Sequence, residues 1–131
     1  MKDTMNIKAC SKSKKNCVST VNTSSYHQME PISFKCDASA AMNHLRNALH
    51  SMEHAEIAEQ SNNRLHAVFR SKVLKFKDDV EFFLEAREKK IHFRSASRIG
   101  YYDFGVNRKR MEEIRDRFGR ETRRIEKTDI R

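Results

Sequence analysis

At 131 residues, with 37% hydrophobic and 34% charged side chains, the chain has the length of one small domain and contains no apolar run of membrane-spanning length. Its net charge of +9 raises nucleic acid as a partner, but the excess is +4 over residues 1–36, +1 over 37–106 and +4 over 107–131. A nearly neutral middle with basic ends suits solubility or weak, salt-sensitive attachment to polyanions better than a dedicated groove.

Residues 1–36 are rich in Ser, Thr, Asn and Lys and are expected to form an N-terminal arm, partly disordered or loosely docked. The first residues lack the continuous apolar stretch of a secretory signal, so a soluble, cytoplasmic product is the default expectation. Cys10, Cys17 and Cys36 all fall in this arm. The odd count argues against a closed disulfide set and the spacing is wrong for a zinc knuckle. Reduced thiols are the expectation in the cytosol, with a Cys10–Cys17 bridge as the alternative in an oxidising compartment. Cys17, Ser19 and His27 offer a nucleophile and a base, but in a stretch too poorly patterned to preorganise them.

A single domain is expected over 37–127, followed by a short tail at 128–131. Asp37 is placed to cap a helix whose apolar stripe is Ala38, Ala41, Met42, Leu45, Ala48, Leu49 and Met52. His44, His50 and His54 fall on this helix and read as surface histidines, since no acidic residue stands at the position a zinc protease would need. The period then drops to two. AEIAEQ (55–60) reads as an edge strand, RLHAVFR (64–70) as a strand with Leu65, Ala67 and Phe69 inward, and VLKF (73–76) as its continuation or a bulge. DVEFFLEA (79–86) places Val80, Phe82, Leu84 and Ala86 inward, and KIHFRSASR (90–98) places Ile91, Phe93, Ser95 and Ser97 inward. A two-residue turn at Glu88 and Lys89 would set Asp79 opposite Arg98, Glu85 opposite His92, and Val80 and Phe82 opposite Ser97 and Ser95. From about Asn107 a last helix carries Met111, Ile114, Phe118 and Ile125 on one stripe, with Arg108, Lys109, Glu112, Glu113 and Arg117 at four-residue steps. The expected fold is α+β: an antiparallel meander of four or five strands with two helices packed on one face and a flexible N-terminal arm.

The polar chemistry gathers in RSASRIGYYDFGVNRKR (94–110), which holds two of the chain's three glycines. Arg94 and Arg98 offer charge, Ser95 and Ser97 inward hydroxyls, Gly100 and Gly105 positive φ and backbone access, and Asp103 or Asn107 a helix cap. With Arg108 and the helix amides these groups could receive a small anion. Tyr101, Tyr102 and Phe104 are expected to pin the loop to the core. Asp78, Asp79 and Glu81 read first as cross-strand salt-bridge partners and second as clustered carboxylates for a metal or for acid and base work. No dinucleotide or P-loop spacing occurs, and no His stands at ligand spacing to the carboxylates, which have arginine neighbours, so neither cofactor nor metal is expected.

NCVST (16–20), the HxxxPI-like stretch (27–32), KFKDDVEFFLE (75–85) and RSASRIGYYDFGVNRKRMEEIR (94–115) together resemble the uncharacterised family named domain of unknown function 1499. The resemblance spans nearly the whole chain and singles out Asp78, Asp79, Glu81, Arg94, Ser95, Ser97, Arg98, Gly100, Asp103, Gly105, Asn107 and Arg108. It implies no assigned activity, and relatives that look exported or membrane-associated set the cytoplasmic expectation against a second one. The chain departs from relatives with proline between the two cysteines, having CSKSKKNC instead. The expected function is a non-catalytic binding module for a small anionic ligand or a protein partner. The alternatives are an enzyme using Asp79 or Glu81 as acid or base, and weak nucleic-acid binding through the arm and last helix.

Overall fold

The structure is a computed structural model that describes residues 7–21, 24–71 and 76–129. Among them the elements run β1 (Cys17–Ser19), β2 (Ile32–Ser33), α1 (Ala38–His50), β3 (Ala55–Gln60), β4 (Arg64–Arg70), β5 (Lys77–Glu85), β6 (Lys90–Ser97) and α2 (Val106–Asp129). Four strands form the antiparallel meander β3-β4-β5-β6, and β1 and β2 both pair antiparallel with the remaining edge of β6. The six-stranded sheet therefore exceeds the four or five strands expected, because the described part of the arm contributes two of them. These short strands place Cys17, Val18 and Ile32 out of solvent.

Period-two patterning selects one face of the sheet. Leu65, Ala67 and Phe69 of β4, Val80, Phe82 and Leu84 of β5, and Ile91 and Phe93 of β6 share one core cluster with Met42, Leu45 and Leu49 of α1 and Met111, Ile114 and Phe118 of α2. Asp37 caps α1 by accepting the Ala40 amide at 2.8 Å. The side chain of Ile125 and residues 73–75 of the VLKF segment lie outside the described residues.

Three expectations are corrected. The β5–β6 hairpin turns through four residues, 86–89, not two: Glu85 Oε1 accepts the Glu88 amide at 2.7 Å and Lys89 enters the left-handed region at φ 58°. The register consequently moves by two, so Val80 faces Ser95, Phe82 faces Phe93, Asp79 faces Ala96 and Glu85 faces Lys90. A shift of two preserves which face each side chain occupies while changing its partner. Ala86 falls in the turn, exposed, instead of extending the inner row. Cys10 and Cys17 form a disulfide rather than reduced thiols, their Cα atoms 5.8 Å apart because the preceding segment folds back on β1. His44 is buried, packed edge-on against Phe118, since its helix position faces α2 and not solvent.

Candidate functional site

The register divides the corner residues between the two faces of the sheet. On the inner face, Ser95 and Asn107 are both completely buried. The Ser95 hydroxyl donates to Asn107 Oδ1 at 2.6 Å, and Asn107 Nδ2 donates to the Asn16 carbonyl (3.1 Å), Ser97 Oγ (3.1 Å) and Asp103 Oδ2 (2.8 Å). Arg110 extends the network: it donates to Asn107 Oδ1 at 2.8 Å and to Asp78 Oδ2 at 2.7 Å, with its guanidinium over the Phe69 ring. Asp78 thus points inward to a largely buried ion pair. Sequence reading missed Arg110 because its partner lies 32 residues away on another element.

The start of α2 belongs to the same network. Asp103 accepts the Gly105 amide at 2.9 Å and the Asn107 amide at 3.0 Å, so a carboxylate of the chain itself occupies the N-terminal amides where an external anion would sit. Gly100 and Gly105 have φ of +86° and +80°, the conformations expected of them. Asn16 Nδ2 donates to the Gly100 carbonyl at 2.7 Å. Arg108 points elsewhere, donating to the carbonyls of Tyr26 (2.6 Å) and Gln28 (3.4 Å) and so tying the N-terminal segment to the helix.

The outer face carries the other set. Arg98 donates two hydrogen bonds to Asp79, at 2.8 and 2.9 Å, by reaching diagonally from beyond the end of β6, and His66 lies 2.8 Å from the same carboxylate. The Arg98 guanidinium holds the Asp79 carboxyl below its ordinary range; partial burial opposes this and His66 adds to it. A carboxyl held ionised in this way has the reverse of the raised pKa that suits a general acid. Glu81 and Arg94 face each other across β5 and β6. Arg94 Nε is buried and meets no acceptor among the described residues. His92, on this face too, bonds Thr20 Oγ1 at 3.2 Å, and burial pushes its imidazole pKa down.

The aromatic residues of the loop contradict the expected packing. Tyr101, Tyr102 and Phe104 are exposed, because Asp103 and the two glycines hold the turn by backbone contacts and need no apolar anchor.

A cleft that sequence reading did not reach lies between β2, α1 and α2. Its volume is about 620 Å³. Ile32, Phe34, Ala40 and Phe118 give it apolar walls, and Lys35, His44, Arg115 and Thr122 bring polar groups to it. His44 is 9% exposed, and its Nδ1 is buried without a partner among the described residues. Arg115 donates to the carbonyls of Pro31 (3.0 Å) and Glu30 (2.6 Å) and forms no ion pair among the described residues. The segment that faces the two helices there, 31–36, lies outside both of their periodic patterns.

Among known proteins, a family model described as "Protein of unknown function (DUF1499)" matches residues 6–118. No curated protein and no solved structure matches the chain. No helix among the described residues is long and apolar enough to cross a membrane.

Proposed function

We propose that this chain, which belongs to the family of unknown function DUF1499, is a non-catalytic binding module whose ligand is a small amphipathic carboxylate held in the cleft between β2, α1 and α2. One observation carries the reading: in an apolar-walled cleft of about 620 Å³, a guanidinium meets carbonyl oxygens but no carboxylate, beside a buried imidazole nitrogen with no partner, among the described residues. That volume suits a small organic ligand, and apolar walls with a few convergent polar groups are the usual make-up of such sites. The ligand carboxylate meets Arg115 and Lys35, and its apolar body lies against Phe34 and Phe118. His44 supplies the remaining polar contact. The anion expected from the sequence is retained, and its place moves from the corner to the cleft because the corner's amides and hydroxyls already have internal partners.

Isothermal titration with octanoate and with phenylacetate tests it. A saturable heat is expected, weakened by roughly 10- to 100-fold in Arg115→Gln, the cost of losing a hydrogen bond to a charged group. Absence of a saturable heat with either acid, or an unchanged affinity in Arg115→Gln, refutes the reading.

A further inference from the structure

A second surface stands apart from the cleft and rests on different observations. The turn between β6 and α2 leaves Ile99, Tyr101, Tyr102, Phe104 and Val106 in solvent, Tyr101 at 70% and Phe104 at 79% exposure. The turn is held from behind. The Lys15 amide donates to the Tyr101 carbonyl at 2.6 Å, the Asp103 amide to the Lys15 carbonyl at 3.1 Å, and Asn16 to the Gly100 carbonyl at 2.7 Å. A fixed frame therefore presents apolar side chains outward, where covering them releases hydration free energy.

The segment that holds the turn also brings cations to it. Residues 7–21 contain Lys8, Lys12, Lys14 and Lys15 and no acidic residue, and all four lysines are exposed. Lys14 Nζ stands 5.4 Å from the centroid of Tyr101, and Lys15 Nζ 5.3 Å from that of the exposed Tyr26. The acid within the turn, Asp103, has its oxygens on the Gly105 and Asn107 amides.

Size and charge together select the occupant. With aromatic side chains covering roughly 150–250 Å² each, three partly exposed rings and two aliphatic neighbours offer on the order of 500 Å², short of the roughly 800 Å² per partner of a stable protein interface. A small apolar tip with Lys14 against Tyr101 and Lys15 on the segment that holds it instead complements an apolar layer beneath a sheet of negative charge. Tyrosine rings, apolar in body and polar at the hydroxyl, suit that boundary, and lysine stems reach from it to the headgroups. We propose that the 99–106 turn inserts at the interface of an anionic phospholipid bilayer, with Tyr101, Tyr102 and Phe104 at headgroup depth and Lys12, Lys14 and Lys15 over the anionic headgroups.

Co-sedimentation of the full chain with vesicles of phosphatidylcholine alone, and of phosphatidylcholine mixed with phosphatidylserine, tests this at low and physiological salt. The protein is expected to pellet with the mixed vesicles and to remain largely in solution with phosphatidylcholine. Lys14→Gln/Lys15→Gln should weaken partitioning by about 25-fold, some fivefold per lysine. Tyr101→Ser/Phe104→Ser should weaken it by at least roughly tenfold with the charge unaltered, and its melting curve should match the parent because both side chains are exposed. Two results overturn the proposal: failure to pellet with phosphatidylserine vesicles at low salt, as a turn that docks on a protein would give, or an aromatic variant that pellets like the parent, as a merely cationic surface would give.

Discussion

Replacing Asn107 by alanine tests the reading of the corner as a filled scaffold. The side chain is completely buried and has five hydrogen-bonding partners, accepting from Ser95 and Arg110 and sharing its two amide hydrogens among Asn16, Ser97 and Asp103. Its removal does not orphan all five partners. Arg110 keeps Asp78, the Asn16 carbonyl keeps the Ser97 amide, and Asp103 keeps two backbone amides. The Ser95 hydroxyl loses its acceptor inside the core, which costs about 1–3 kcal/mol, and the lost bonds and the space left behind add to that. The expected loss is about 3–5 kcal/mol, a large share of the roughly 5–15 kcal/mol that holds a domain folded. Urea unfolding followed by far-ultraviolet circular dichroism measures it, at constant m value. Because Ser95→Ala removes the hydroxyl that Asn107→Ala strands, the double variant should be less damaged than the two single losses combined, by about 1 kcal/mol or more. A loss below about 1 kcal/mol for Asn107→Ala, or strict additivity, refutes the reasoning.

Asp79, its pKa depressed in the folded state, contributes stability that is present above its ordinary value of 3.8 and lost as pH falls through the folded value, so Asp79→Asn should destabilise at neutral pH and match the parent in strong acid, measured by thermal melts across pH. His92, pushed down by burial, resists protonation in the fold; the unfolded chain binds the proton first, so stability should fall as pH drops below about 6.5, and His92→Gln should flatten that part of the melting profile. Reduction of the Cys10–Cys17 bridge, which spans a sequence separation of 7, should cost about 2–3 kcal/mol, read as a lower melting temperature with reductant that Cys10→Ser/Cys17→Ser reproduces. A melting temperature indifferent to reductant would contradict the bridge.

The meander and both helices were legible because each strand alternates at period two and each helix carries a continuous apolar stripe. RLHAVFR and DVEFFLEA show which side of the sheet is inward without any knowledge of their neighbours. The hairpin's partners were not legible. Register depends on turn length, Lys and Glu carry weak turn signals, and a shift of two leaves the pattern of faces unchanged. The two strands before Pro31 and after it were hidden for a related reason: at three and two residues, β1 and β2 are too short to show a period. At the corner, residue types announced a polar cluster but not its saturation, since Asn16 and Arg110 reach it from distant positions. The exposed aromatic side chains of the turn reversed the usual assumption that a ring near a glycine is an anchor. The cleft could not be read at all, because it arises where α1, α2 and the non-periodic 31–36 segment converge.

The most direct test of the account is an amide spectrum of the 15N-labelled chain titrated with octanoate, which reports where the ligand sits as well as whether it binds. Saturable shifts gathered on Phe34, Lys35, His44, Arg115 and Phe118, with the Ser95, Asp103 and Asn107 amides unmoved, are the predicted result. Shifts centred on 95–107 with the cleft silent, or no saturable shift anywhere, would contradict it.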